Sequence, residues 1–468
     1  MITVVMAVIT YFIRHRVLTH VMVLTYLAGL GFFAITLYQH LGERLDEYFY
    51  CDRLGFIFFI VLIIVSLFSG VHYITFVGYR NVPREAMALH NAGTIFFTGA
   101  ITAALFTQHF GVLWAAMEAT TLGASILIYH NRNQHSLEAT WKYVFIASIG
   151  IAIAFAGILF LGLAAHKIGH VDFTFNAIKA EASRLNPVWL KATFLLVLTG
   201  FSVKMSLVPL FTVDIDAKDA SPSLVGASLS SVLMNAGFVA MIRFYEAFSV
   251  TTILPWMNNV LLITGMLSLI LSASYLLKVR NIKRLFAYSS MEHASLVTIA
   301  FSCGGVGYLA AILHLIMHSF AKASLFLQVS QMHRIYNSKW DDSIGSYLRI
   351  NPLGGLVLLL GFLSIIAMPP SGMLITELMM FQALVAKNYW WLAAIILVLV
   401  LVIIYGLAVR LLGILFIKKP GDQIQMKGIT PWESVLQLVL IVMVFYIGLF
   451  RPEFIVSNIQ KALEVLPL

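Results

Sequence analysis

The sequence predicts an all-α membrane protein of about 14 transmembrane helices, with two inverted five-helix repeats and broken helices 7 and 12. Three observations carry the fold class. The 468 residues are 60% hydrophobic and only 11% charged, with a mean hydropathy of +0.91, a profile outside that of soluble domains. Apolar runs of about 20 residues, enough for one helix to cross a bilayer, recur from end to end. These runs stay apolar for several turns, whereas β-barrel strands alternate apolar and polar residues.

The expected spans follow from those runs. The first, 2–13, is short and ends at Arg14–His15–Arg16 with no small-residue cleavage site, so a cleavable signal peptide is not expected. Spans at 18–38, 54–77, 87–107, 109–130 and 141–163 come next. The longest polar stretch, 164–190, reads as an extramembrane loop with a helical turn or two. Spans at 190–211, 223–247, 256–278, 285–304, 306–333, 352–385, 390–417 and 432–450 complete the order. No low-complexity linker interrupts them. The expectation is one polytopic domain over 1–468, with N-terminal helices in 1–80, repeats in 87–248 and 256–417, and a C-terminal helix and tail in 418–468.

Loop charge sets the expected orientation. Odd-numbered loops hold most of the Lys and Arg, among them Arg14, Arg80, Lys419 and Lys427; even-numbered loops hold fewer, Lys167 and Lys387 among them. The positive-inside rule then puts odd loops in the cytoplasm and both termini outside, in a prokaryotic inner membrane. Asp214, Asp216, Lys218 and Asp219, read as the loop after span 7, are an acidic exception. The net charge of +9 is thus a topology signal rather than a nucleic-acid footprint. Cys51 and Cys303 follow no metal or iron–sulfur spacing, and no Gly-rich phosphate cradle precedes a helix. No metal, cofactor or ATP-driven transport is expected.

Polar residues inside the spans point to function. His314, His318 and Lys322 are spaced i, i+4, i+8 and share one stripe of one helix. Ionisable groups in lipid are expensive, so three on one stripe read as an ion or proton path. The alternative is that the histidines bind neighbouring carbonyls while Lys322 reaches an interface. Glu118 lies in LWAAMEATTLGASIL, Lys204 in TGFSVKMSLVPLF, Asn235 in SVLMNAGFVAMIRF and Glu377 in SIIAMPPSGMLITELMMF. Glu118 and Lys204 also fit a structural ion pair locking two helices. Such a pair can move a proton when its partners separate.

Pro209 interrupts span 7; Pro369, Pro370 and Gly372 interrupt span 12. Backbone groups freed at membrane depth must line a polar cavity or meet protein partners. The breaks lie five spans apart, in equivalent places if spans 4–8 and 9–13 are repeats, and an odd number of spans makes such repeats inverted. Matched interruptions point to a transport site; incidental proline kinks are the alternative.

Several segments together carry a family resemblance: MEATTL, VKMSLVPL, the basic turn NIKRLFAYSSMEH at 281–293, HLIMHSFAKASLF at 314–326 and MPPSGMLITELMMF at 368–381. Over roughly residues 50–450 the chain resembles the antiporter-like proton-pumping subunits of respiratory complex I, membrane-bound [NiFe] hydrogenases, formate hydrogenlyases and multi-subunit Na+/H+ antiporters. YSSMEH and MPPSGMLITELMMFQAL look most like the hydrogenase branch. The resemblance implies that Glu118 and Lys204 form the coupling pair of a first half-channel. His318, helped by His314 and Lys322, would be the central relay of the second, and Glu377 its terminal group towards the outside. Asn235 stands where many relatives carry Lys or His. Relatives also read P-L-H-T-W-L-P-D-A-H after span 7, where this chain has Phe211, Val213 and Ile215 at the His, Trp and second Pro positions. The chain ends at 468 without the long lateral helix of one branch.

The implied function is proton translocation within a redox-driven complex, as a subunit with no redox chemistry of its own. Its partners would be other membrane subunits, a peripheral redox arm, the lipid bilayer and H+. A Na+/H+ antiporter subunit and a non-conducting structural anchor are the alternatives.

Overall fold

The computed structural model describes residues 2–79, 82–166, 172–418 and 430–467. Arg80, Lys167, Lys419 and Lys427 lie outside the described residues. The described chain is helical throughout, with four isolated β-bridges between loops. Its helices are α1 (Ile2–Phe12), α2 (Arg16–Gln39), α3 (Arg53–Tyr79), α4 (Arg84–Phe106), α5 (Phe110–Ile128) and α6 (Gln134–Ala165), then the short α7 (Phe175–Glu181). Next come α8 (Pro187–Met205), α9 (Thr212–Ala220), α10 (Ser223–Ser228), α11 (Met234–Phe248), α12 (Leu254–Leu276), α13 (Ile282–Cys303) and α14 (Val306–Tyr336). The last are α15 (Tyr347–Ile350), α16 (Pro352–Ile365), α17 (Gly372–Ala386), α18 (Trp390–Phe416), α19 (Pro431–Phe450) and α20 (Glu453–Leu463). A π-helical turn, Leu229–Leu233, joins α10 to α11 into one long rod.

Among the described residues, 11 helices are long and apolar enough to cross a membrane: α2 to α6, α8, the α10–α11 rod, α12, α14, α18 and α19. Helices α1, α16 and α17 are apolar but shorter. At about 1.5 Å per residue, α1 spans only about half of a 30 Å hydrocarbon layer. α13 is long enough but carries Lys283, Arg284, Glu292 and His293. It tolerates them because other helices enclose it: every residue of α13 except Arg284 is buried. α14 is enclosed likewise, touching α3, α10, α13, α16, α17 and α19. The outer helices instead show apolar side chains to the lipid, such as Phe145, Ile149 and Leu159 on α6 and Leu397, Leu401 and Tyr405 on α18.

Both expected breaks are present as interrupted helices. α8 stops at Met205, where Ser206 turns left-handed at φ +57°, and α9 starts at Thr212. The Val208 amide, freed by the break, donates to Ser268 Oγ on α12 at 3.0 Å. α16 stops at Ile365, and α17 begins at Gly372 behind Ser371, whose Oγ accepts from the Met373 amide at 3.1 Å. The expected loop over Asp214–Asp219 is a correction. These residues form α9, and Asp214, Lys218 and Asp219 are buried. Their charges hid the segment, because partners neutralise them inside the protein and not in water.

Lipid gives no hydrophobic drive for helices to associate, so close approach depends on small residues. At the crossing of α6 and α8, a Cβ on Gly200 would overlap the Gly150 carbonyl oxygen and lie 2.7 Å from the Ala154 Cβ. This crossing holds α8, and so Lys204 one turn further on, against α6. Gly200→Ala should therefore destabilise by about 1–3 kcal/mol, since overpacking outweighs the gain of up to about 1 kcal/mol in helix propensity. Gly31→Ala, with no atom within 4 Å of its new Cβ, should be neutral or better. Thermal unfolding of the detergent-solubilised chain measures both.

Candidate functional site

The break in span 7 and the enclosed α13 and α14 bring the polar residues of both halves into the interior. In the first half, Lys204 sits in the last turn of α8 and is almost fully buried. Its Nζ donates to Thr121 Oγ1 of α5 at 2.8 Å and to Tyr143 OH of α6 at 3.1 Å, and lies over the Tyr143 ring. Glu118 stands one turn from Thr121 on α5. Its Oε1 accepts from Ser148 Oγ of α6 at 2.7 Å, and its Oε2 has no hydrogen-bond partner. Glu118 and Lys204 are in electrostatic reach of each other, but no ion pair joins them among the described residues. The locking ion pair weighed from the sequence is thus not the geometry; hydroxyls of Thr121 and Tyr143 hold Lys204, and that of Ser148 holds Glu118.

A second buried charge pair occupies the break. Asp214 and Lys218, i and i+4 on α9, form an ion pair, and Ser206 Oγ contacts both. Lys218 is fully buried and within electrostatic reach of His318 and Lys322. Phe211, Val213 and Ile215, at the departing positions, are buried apolar packing around this pair. Asn235, one residue into α11 past the π-helical turn, donates through Nδ2 to Ser319 Oγ of α14 at 2.8 Å. Its Oδ1 has no partner. A π-helical turn is a frequent companion of functional sites.

In the second half, His314, His318 and Lys322 share one face of α14, and all three are fully buried. Lys322 does bind a carbonyl, Phe286 O at 3.2 Å, but it reaches no interface. His314 bonds no carbonyl: its Nδ1 meets Thr376 Oγ1 at 2.8 Å and its Nε2 meets His293 Nδ1 at 3.1 Å. The His318 ring lies 5.1 Å from that of His293, and both of its nitrogens lack hydrogen-bond partners. Glu377 follows Thr376 on α17 and is 8% exposed. Glu292, buried on α13, is in electrostatic reach of Glu377 and Lys322. Sequence reasoning quoted YSSMEH but gave Glu292 and His293 no role, and it read Lys218 as a loop residue. Two further ionisable neighbours inside a span were the signal that could have found Glu292 and His293.

The basic turn at 281–293 has a structural part. Asn281 caps α13 and donates to Asp219 at the end of α9 at 2.8 Å; Arg284 and Lys339 reach the same carboxylate at 2.9 and 2.7 Å. Burial would raise the Asp219 carboxyl, but Lys339, Arg284 and Asn281 outweigh it and hold it down to about 2. α9 is thereby anchored to α13, which fixes Asp214 and Lys218 in the break. Towards the other end of α14, Gln328, Gln331 and Arg334 continue the polar face and meet Tyr347, Ser434 and Glu433.

Residues 107–403 match the family described as NADH:quinone oxidoreductase/Mrp antiporter, TM. The chain belongs to this family. Among its relatives, a hydrogenase-4 component F homolog of Methylacidiphilum infernorum is 28% identical over 362 residues, 76% of this chain and 75% of that protein. NADH-quinone oxidoreductase subunit N of Desulfitobacterium hafniense is 25% identical over 421 residues, 80% of this chain and 81% of the other. A chain of the membrane-bound sulfane sulfur reductase, an archaeal respiratory membrane complex, superposes with a TM-score of 0.85 at 19% identity and covers 99% of both chains. That likeness shows a shared fold. The family match spans α5 to the first half of α18, and so takes in Glu118, Lys204, Lys218, Asn235, the α14 stripe and Glu377.

The Asp214–Lys218 pair gives a direct test of how this interior holds charge. Asp214→Asn leaves Lys218 buried without its counter-ion and should cost about 3–5 kcal/mol. The double variant Asp214→Leu/Lys218→Met removes both charges and should unfold close to the parent temperature in a detergent melt.

Proposed function

We propose that this chain is the proton-translocating, antiporter-like membrane subunit of a redox-driven complex, of the hydrogenase or quinone-reducing type. The observation that carries the reading is a set of polar side chains, all but Glu118 buried, drawn from both halves into the interior: Glu118, Lys204, Lys218 with Asp214, Asn235, Lys322, His318, His314 and Glu377. None of the row except the half-buried Glu118 keeps more than a trace of exposure, so its charges face protein and not lipid. The kinship with hydrogenase-4 and NADH-quinone oxidoreductase subunits supports partner membrane subunits and a peripheral redox arm, where the driving electron transfer occurs.

The mechanism is electrostatic. Lys204 holds its proton while Glu118 is charged nearby. Movement or neutralisation of Glu118 removes that support, and the proton passes towards the α14 histidines. Histidine suits the relay because its ordinary titration lies near neutrality. Asn235 cannot carry the charge, and Lys218 is the cation that stands in for it, between Lys204 and His318. Glu377 completes the row towards the outside. In this reading the chain crosses the membrane 14 times as one domain, with both termini outside, and spans 4–8 and 9–13 are inverted repeats. Like pairs of helices touching in each half, α4–α5 and α5–α6 in one and α12–α13 and α13–α14 in the other, support the repeats.

Lys204→Ala and Glu377→Gln in the assembled complex should each abolish proton pumping while electron transfer to artificial acceptors persists. Pumping at the parent rate in both variants would rule the pathway out. Sodium-dependent pH jumps in vesicles would instead identify the Na+/H+ antiporter alternative.

A further inference from the structure

Three metal-ligating side chains from three helices converge at one end of the row. A ligand atom of His293 on α13, one of His314 on α14 and one of Glu377 on α17 all lie within 4.8 Å of one another. Their separations in the chain follow no metal spacing, which is why the sequence predicted no such site. His293 Nδ1 and His314 Nε2 are 3.1 Å apart. Tetrahedral zinc ligands, at about 2.0–2.1 Å from the ion, lie about 3.3 Å from each other. Thr376 holds the other nitrogen of His314 at 2.8 Å, the kind of outer contact that orients a ligating imidazole.

Two further observations point to a ligand. His318 stands beside the group with its ring 5.1 Å from that of His293, fully buried, and with neither nitrogen hydrogen-bonded. His293 Nε2 and Glu292 Oε2 are also buried without partners. The charge balance is open as well: Glu292 and Glu377 are two carboxylates with one ammonium, Lys322, in reach. A donor set of imidazoles and one carboxylate suits zinc and its neighbours, whereas magnesium and calcium prefer all-oxygen sites.

The group lies beneath one end of α14. From the first residue of α14, Val306, to His314 is a depth of about 12 Å at 1.5 Å per residue. A cavity of about 140 Å³ opens at that end, between Cys303, Gly304, Ala383 and Lys387. The geometry points to a zinc-class divalent cation site at His293, His314 and Glu377, with His318 beside it, reached from the Val306 end of α14. The ion takes nitrogens and an oxygen that a proton relay would use, so bound metal blocks proton movement. The block rests on the proposed relay; the binding does not.

The test uses the full chain, stripped with a chelator, loaded with zinc and freed of excess. A single zinc per chain, with at least two imidazoles in its X-ray absorption spectrum, is expected. His293→Ala and Glu377→Gln should each lower zinc affinity about tenfold or more. His293→Cys guards against a misfolded alanine variant: it should keep the metal and add a sulfur neighbour at about 2.3 Å. Failure to retain zinc, or a His293→Cys spectrum without sulfur, overturns the site. Zinc held by these ligands without slowing proton movement would uphold the site and count against the relay instead.

Discussion

Moving an isolated carboxylate or ammonium out of water into a medium of low dielectric costs tens of kcal/mol by Born solvation. This chain carries Lys204, Lys218, Lys322, Glu292 and Glu377 inside a helical body whose outer faces are apolar. The three ammonium groups are answered by protein: Lys204 by two hydroxyls, Lys218 by Asp214, Lys322 by a carbonyl and the field of Glu292. The need to answer buried charge explains why the polar α13 and the α14 stripe lie at the centre, behind α12, α18 and α19. It also explains why the compensation is partial. Fully paired charges would lock in place, and in the proposed relay the unpartnered atoms of Glu118, Asn235, Glu292, His293 and His318 leave room for a mobile proton.

The helix breaks serve the same constraint. An unbroken span 7 would leave no free backbone and no second segment at mid-depth. The interruption after Met205 instead places Ser206, Asp214 and Lys218 between the Lys204 end of α8 and the face of α14. The break before α17 starts a helix whose second turn carries Thr376 and Glu377 to the α14 histidines. Small residues make the approach possible: Gly372 and Gly448 meet at the α17–α19 crossing, as Gly150 and Gly200 do between α6 and α8.

The helical membrane class was legible because lipid imposes apolar length, and length is written directly in composition. So were the α14 stripe and the two breaks, because i, i+4, i+8 spacing and proline are local signals. What was not legible depends on partners distant in the chain. α9 looked like a polar loop because nothing local shows that its charges are buried: Asp214 and Lys218 pair with each other at i, i+4, but Asp219 finds Lys339 120 residues away. Glu292 and His293 were hidden in a motif read as a family signature. Their proximity to Glu377 and His314 depends on how three helices cross. For Glu118 and Lys204 a direct ion pair was one of two readings, and the threonine and tyrosine hydroxyls that hold Lys204 instead carry no charge to draw attention in a sequence.

The central claim is that the buried row is one continuous, hydrated path, with Lys218 bridging the gap left by Asn235. The most direct measurement is a cryo-electron-microscopy map of the assembled complex at a resolution that shows ordered water. The account predicts waters linking Lys204, Lys218 and His318, and on through His314 to Glu377. Closed apolar packing between Lys218 and His318, with no water across it, would contradict it and make the subunit a scaffold.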